Sequence, residues 1–522
     1  MQSVSSGWTV EERNSVRKIA TNVQFSWHKQ STLGSRTFTI GVSSIGGNDI
    51  IGANPGSIGS PGNYKYFDET DYLLGLSWER GYNMPTGGMT KALAEVRLDN
   101  ASNRFTPRFM GGRSELYTAQ PLRAPFIINA GFNFGVDQTI PQFAGLITEQ
   151  PEINMRSRVV RIRGTDYTDF FSNKYLDHEV MFTAQTTDTV MENLLTGTLG
   201  MTTSQFDLDP GINIIPFGLF EKGSNMSDLF HQLAEAENGH FYQNEAGIFK
   251  FENRQHWDSA PFTQVQRIVL TGQVIQAQAP NDSHLINVVE IRSPIRQKQP
   301  LQTVFSLPSL SSILIPANSD SEQFFEFQDP VLALTDPSNG GSNSYFIGNT
   351  ASDGTGADST SSLSFKNIGN FAKAVKYRIH NSSSVDVYVT QLVLGGRVAK
   401  QTGDLYYREQ DDSSVTAYQE RVLSINNEFI QNADWAASLS RLLLNDFSDI
   451  ENIQQLTIRA LPELQLGDLI SWQGRYWRVF DIKSNLDPSY GYVQDITLLQ
   501  RTITSYFRIG ISTIGGTDKI AP

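Results

Sequence analysis

Chemistry at a protein site needs a few residue types at workable spacings, and this chain offers few such arrangements. Its seven histidines are His28, His178, His231, His240, His256, His284 and His380. No two stand four positions apart, so the helical zinc pair of an HExxH site is missing. His231 falls on a predicted helix and His240 just after it, and both read as surface or packing histidines. The sequence has no GxSxG elbow, no GxxxxGK[ST] phosphate loop and no GxGxxG following a strand. It also has no cysteine, which removes thiolate metal sites, disulfides and thiol nucleophiles together. Asp207 with Asp209, and Asp411 with Asp412, could attract a hard cation. Neither pair has the ligand spacing of a dedicated loop, so both read as solvated turns. Two carboxylates at a set separation suffice for glycoside hydrolysis, but 54 acidic residues supply such pairs everywhere. No catalytic residue, metal ligand or cofactor is assigned, and the chain reads as a non-enzyme.

The bulk composition points to an assembly protein. The 522 residues exceed what one core holds, so three or four domains are expected. Hydrophobic residues make up 39% and charged residues 18%, with Gly, Ser, Thr, Asn and Gln filling the gap. That balance favours strands and turns over helices. The net charge of −13 argues against gripping nucleic acid through phosphate neutralisation, though it leaves DNA free to pass an acidic wall. The N-terminus has no apolar signal core, and no run reaches about 18 apolar residues, so synthesis in the cytoplasm is expected.

The elements follow from periodicity. LAEVRLDN (Leu93 to Asn100) alternates apolar and polar residues, and PFIINAGFNF (Pro125 to Phe134) is strand-like. FAGLITEQPEINMRSRVVRIRGTD (Phe143 to Asp166) reads as two paired strands joined near Glu149 to Glu152. Short strands at this spacing indicate a barrel or sandwich. Asp188 to Leu195 predicts a short helix stopped by Gly197. A better helix starts at a Ser224 or Asn225 cap, aligns Leu229, Leu233 and Ala236 on one face, and ends at Asn238-Gly239. HFYQNEAGIFKFENR then reads as a hairpin. The Gly-Gly pairs starting at Gly46, Gly87, Gly111, Gly340, Gly395 and Gly515 read as turns. Near the C-terminus, Trp435, Leu439, Leu442 and Leu443 share a helical face, followed by strands with turns at Leu466 to Leu469 and Gln473-Gly474.

Between 293 and 414 the composition shifts. Asp336 to Phe365 is Gly/Ser-rich and polar, which predicts that part of it is a long mobile loop within an inserted β-sandwich. Tyr345 and Phe346 are the candidate contact residues of that loop, with core or anchoring roles as the competing reading.

In order, these pieces resemble the tail-tip (baseplate) hub proteins of long-tailed bacteriophages, a class of minor tail protein. ERGYNMPTGGMTKALAEVRLDNASNRFTPRF (Glu79 to Phe109) looks like the family's RG, LDN and RF-T/S-P series. FAGLITEQPEI with VRIRGTDYTDFF looks like its F-x-G-x-I strand pair. LFHQLAEAENGHFYQNEAGIFKFENR and the stretch from NADWAASLSRLLLNDF to YVQDITLLQR complete the series. The resemblance spans roughly Glu79 to Arg501 outside the insert. It implies a mainly β chain with a small α/β part. Residues 1–170 would form a first tube-like β-barrel, 171–265 a helix-hairpin α/β domain, and 266–292 with 415–505 a second barrel. The inserted sandwich would occupy 293–414 and a strand-like tail 506–522. Three chains would then form a ring around the DNA channel, joining the hexameric tail tube to the tip. Implied partners are two further copies of the chain, the distal tail protein, the tape-measure protein, and tip or fibre proteins, in a virion assembled in the host cytoplasm. Host-surface contact would fall to the insert, specific nucleic-acid binding is not expected, and any cell-wall cleavage is expected in another protein.

Two alternatives stand beside the hub. One is a carbohydrate-binding or carbohydrate-cleaving tail protein working through 293–414, and the other is a hexameric distal tail adaptor. A repeated phrase adds one more feature: FTIGVSSIGGNDIIG begins at Phe38 and FRIGISTIGGTDKIA at Phe507. Its alternating apolar residues (Phe38, Ile40, Ile45, and Phe507, Ile509, Ile514) are candidate docking strands for a sheet edge.

Overall fold

The structure is a computed structural model that describes residues 2–5, 8, 12, 17–27, 66–106, 122–487 and 491–500. The repeated phrases at Phe38 and Phe507, with all six of their candidate docking residues, lie outside the described residues, as does His28. Among the described residues no helix is long and apolar enough to cross a membrane.

The chain is mainly β, and one sheet of fourteen strands draws on both ends of it. Edge to edge, its path runs Val274–Ala277, Ile453–Arg459, Gly491–Gln500, Arg475–Asp487, Leu73–Gly81, Leu93–Asp99, Val159–Asp166, Asp137–Ile147, Pro125–Asn133, Ile19–Phe25 and Phe67–Asp68. Alternation explains the strands. In Leu93–Asp99 the side chains of Ala94, Val96 and Leu98 are buried, while Glu95 and Arg97 lie on the other face. Val160 and Ile162 repeat the pattern on the next strand. With Phe25, Trp78, Phe126, Ile128 and Phe143 they fill one core, so the N-terminal strands curl around a shared interior.

The α/β part forms as its caps and faces dictate. Asn225 accepts a hydrogen bond from Ser227 N and starts the helix Met226–Glu235, whose Leu229, Phe230 and Leu233 are buried. Asn238 takes a positive φ of 50°, and Gly239 N bonds back to Ala234 O to end the turn. The hairpin His240–Gln243 with Phe249–Glu252 follows in the expected register. The helix Ala433–Phe447, capped by Asn432, buries Leu439 and Leu443 in a second, larger core together with Leu229, Phe230 and Leu233. Trp435 and Leu442 are only half-buried on it. The earlier short helix differs from expectation: Thr187–Asn193 continues into a π turn over Leu194–Thr198, and Gly197 lies within that turn.

One further expectation is corrected. Gly395-Gly396 is no turn; it sits inside the 24-residue strand Val387–Gln410. A Cβ on Gly395 would lie 2.6 Å from Asn343 O, and one on Gly396 would lie 3.1 Å from Ala333 O, so the missing side chains admit flanking backbone. Part of the stretch 336–365 is strand. It contains the strand Tyr345–Asn349, and Thr350 N to Ala357 O closes the turn beyond it. The long strand pairs with Tyr345–Asn349, Val331–Thr335, Gln302–Ser306, Ile313–Ile315 and Val288–Lys298. A three-stranded sheet of Ser319–Glu326, Ala374–Asn381 and Leu363–Phe371 joins it around a separate core that includes Tyr377, Phe325, Phe346 and Leu392.

Candidate functional site

A tightly interlocked polar cluster lies where three stretches of chain meet. Leu73–Gly81 pairs antiparallel with Arg475–Asp487, which places Gly81 opposite Asp481 and Trp78 opposite Ser484. Just past this pairing, Tyr82 N bonds to Phe480 O, and the Tyr82 ring stacks on His240 at 4.2 Å between centroids. Trp257 and Phe480 pack on the same rings. The cluster therefore joins the N-terminal strands, the helix-hairpin unit and the C-terminal strands.

Its acidic centre is Glu252, at the end of a hairpin strand. Tyr82 donates to it at 2.6 Å and Tyr242 at 2.7 Å, and His256 Nε2 lies 3.4 Å away. The other ring nitrogen of His256 faces Asp209 at 2.6 Å. The parallel pairing of Phe206–Leu208 with Phe249–Glu252 brings these residues together. Burial pushes the Glu252 carboxyl up, while His256 and the two tyrosine hydroxyls pull the other way. Burial opposes the charged form of His256, but Asp209 and Glu252 outweigh it and hold its pKa above the ordinary value. Burial first, and then Glu252, drives the Tyr82 hydroxyl far above its usual range. Beside this group, Arg80 donates to Glu245 at 2.7 Å with both side chains buried, and Gln465 Nε2 donates to the other Glu245 oxygen. Arg478 lies over the Trp257 ring at 4.9 Å and donates to Gly467 O at 2.6 Å.

Chemically, the arrangement binds segments to one another. The oxygens of Glu252 are taken up by tyrosines and a histidine, and those of Glu245 by Arg80 and Gln465. The cluster is a brace of charge-assisted hydrogen bonds that fixes three segments in one relative position.

The residues singled out from sequence are placed as follows. Tyr345 and Phe346 lie on a strand, so the contact-loop reading needs correction. Phe346 is buried with its ring 4.5 Å from that of Phe365, and Tyr345 is half-buried. Strand pairing to Val393 and Leu392 turns alternate side chains inward and takes Phe346 into the core. His231 accepts from Met89 N at 3.2 Å, and His240 stacks in the brace. Asp207 pairs with Lys250, while Asp209 holds His256 and accepts from Asn253 N. Asp411 caps the helix Asp412–Tyr418 by accepting from Ser413 N and Ser414 N. Among the described residues no cluster of three potential metal ligands occurs. Sequence reasoning missed Glu245 and Glu252, and the partners of Arg80 and His256. The one legible hint was that Glu252 and His256 stand four positions apart beside a hairpin.

Neither a family model nor a curated protein matches the sequence. Solved tail proteins are similar in fold at low identity. A 43 kDa tail protein of prophage MuSo2 from Shewanella oneidensis is 11% identical over 84% of this chain and 95% of that one, with a TM-score of 0.42. A tail protein from Neisseria meningitidis MC58 is 8% identical over 84% and 94%, with a TM-score of 0.44. The prophage tail protein gp18 from Listeria monocytogenes EGD-e is 10% identical over 84% and 92%, with a TM-score of 0.40.

Proposed function

We propose that this chain is a structural hub at the distal end of a phage tail, joining the tail tube to the tip. The observation that carries this reading is the pairing of Leu73–Gly81 with Arg475–Asp487. Strands from opposite ends of the chain share one sheet, so two β regions form a single stiff unit. A part that transmits force between a tube and a tip needs such a unit, and the Glu252 and Glu245 braces tie the helix-hairpin unit to it. The sequence motifs from Glu79 to Arg501 agree with this reading.

In the proposed assembly three chains close a ring around the DNA channel, each offering two β regions to the hexameric tube. The net charge of −13 suits a wall past which DNA slides without sticking. The neighbours are the distal tail protein, the tape-measure protein, and tip or fibre proteins. The role is structural rather than enzymatic, and the place of action is the virion. Native mass spectrometry of the full chain tests the proposal: a trimer is expected, and a stable hexamer would point to the adaptor class instead. Deleting Phe507 to Pro522 is expected to weaken binding to a tail neighbour while leaving the thermal unfolding of the chain unchanged. Undiminished binding would remove the docking role of the repeated phrase.

A further inference from the structure

The inserted sandwich has two outer faces, and they differ in charge. On the sheet of Ser319–Glu326 with Ala374–Asn381, Glu322 pairs with Lys376 and Arg378, and Asp320 pairs with His380. Its exposed Phe324 lies under Lys376, whose Nζ is 5.2 Å from the ring centroid. That is an ordinary solvated surface. The other outer face belongs to Val387–Gln410 and the strands beside it. Phe346, Val389, Leu392 and Leu394 turn into the core, so alternation turns Tyr345, Tyr388 and Val393 outward. Pairing sets Leu314 beside Tyr388, Ile347 beside Gln391, and both Ser306 and Tyr345 beside Val393. None of these outward residues carries a charge. Leu314 is 44% exposed and Ile347 37%. Tyr345 and Tyr388 are half-buried on this face, outside the sandwich core. Among the described residues neither tyrosine hydroxyl forms a hydrogen bond.

Backbone closes both ends of this uncharged face. At one end Gly395 admits Asn343, whose carbonyl oxygen lies 2.6 Å from where a Cβ would stand. At the other, Asn349 sits opposite Tyr388 and donates to Gly354 O at 3.2 Å and Gly356 O at 3.1 Å. The turn that carries those carbonyls is thereby held against the face. Between the ends, the floor from Tyr388 to Val393 runs about 16 Å at the usual strand rise. Three strands at the usual spacing make it a shallow trough with an area on the order of 200 Å². Each partner in a standard protein interface gives up about 800 Å², so this floor is too small for one.

We infer that this trough binds a neutral oligosaccharide of a few rings. The C–H faces of the sugars lie on Tyr345, Tyr388 and Ile347, as an apolar body with polar tips allows. Their hydroxyls meet the Gln391 amide, the two free tyrosine hydroxyls and the backbone of the end turns. An acidic ligand would find no cation on this floor. A hydrocarbon chain would keep one side wet on so shallow a surface. The inference is independent of the tail-hub reading, and it narrows the carbohydrate-binding alternative to a face of strands.

A glycan array carrying neutral and acidic oligosaccharides, probed with the full chain, tests it. Binding is expected on neutral glycans, with acidic ones at least about tenfold weaker. Titration calorimetry with the strongest neutral glycan then reads the variants. Tyr345→Ala and Tyr388→Ala should each weaken binding by about tenfold, with nearly unchanged thermal unfolding showing that the fold survives. Lys376→Ala, on the charged outer face, should leave the affinity as it was. Silence across the array, binding confined to acidic glycans, or affinity insensitive to both tyrosine substitutions would each overturn the assignment.

Discussion

Gly81 and Asp481 lie directly opposite one another on the two strands that join the ends of the chain. A Cβ built on Gly81 would sit 2.2 Å from Asp481 Oδ2 and 3.2 Å from its Cγ. The glycine therefore makes room for the carboxylate, and an alanine would have to displace it. Gly81→Ala is expected to cost about 1–3 kcal/mol in urea denaturation, the usual range for overpacking. Adding Asp481→Ala should recover most of that loss. An equal cost for Gly81→Ala in both backgrounds would show that the two side chains do not compete for this space.

The same carboxyl gives the protein a pH dependence. Burial pushes Asp481 up to about 7, with repulsion from Glu79 and Asp495 adding to it and Lys483 opposing. Its pKa is higher folded than unfolded, so the folded state holds the extra proton between the two values. Its contribution is complete below about 4 and is lost as pH rises to about 7. Asp481→Asn should flatten that part of the stability profile and raise stability at pH 8 by about 2 kcal/mol relative to the unmodified chain. Asp166 is also raised to about 7 by burial, but it accepts from Ala92 N and Thr168 N, so its asparagine variant would lose those bonds and confuse the comparison. Parallel pH profiles for Asp481→Asn and the unmodified chain would refute the assignment.

Arg80 and Glu245 form the most buried ion pair of the brace, 2.7 Å apart. Removing one partner strands the other charge away from water. Glu245→Ala should therefore destabilise by about 3–5 kcal/mol. The double substitution Arg80→Met with Glu245→Leu should return close to the starting stability, because it buries no unpaired charge. Thermal unfolding of the single and double variants reads both effects. A double variant as unstable as Glu245→Ala would mean that the pair gives something hydrophobic packing cannot replace.

The strands were legible wherever one face is buried. Leu93–Asp99 and Val159–Asp166 announce themselves by alternation, and the helix at Met226 by its cap and its Leu229 and Leu233 stripe. Partners distant in sequence were not legible. Nothing local to Gly81 says that Asp481 will lie across from it, because the match between the two strands is settled by the packing of the whole sheet. Asp209 looked like a solvated turn for the same reason: only the parallel pairing of Phe206–Leu208 with Phe249–Glu252 brings His256 to it. Composition was only a partial guide at 336–365. Its Gly and Ser content suggested a mobile loop, but tertiary pairing with Val387–Gln410 overrides local propensity there.

That override makes a final prediction about Phe346. Its ring is buried beside Phe365, and Phe365 in turn packs edge-on against Tyr377 at 5.8 Å, in a core separate from the main sheet. Phe346→Ala should remove about 3–5 kcal/mol from that core. Because the insert has its own core, the loss should appear there first: limited proteolysis is expected to cut within 293–414 while the remainder resists. Tyr345→Ala, at a half-buried position on the same strand, should cost under about 1 kcal/mol. The contrast separates the two roles first considered for this pair. A contact residue on a loop could be truncated with little effect on protease resistance, whereas a core residue could not. Equal resistance of Phe346→Ala and the unmodified chain would return Phe346 to the surface, and with it the idea of a contact loop.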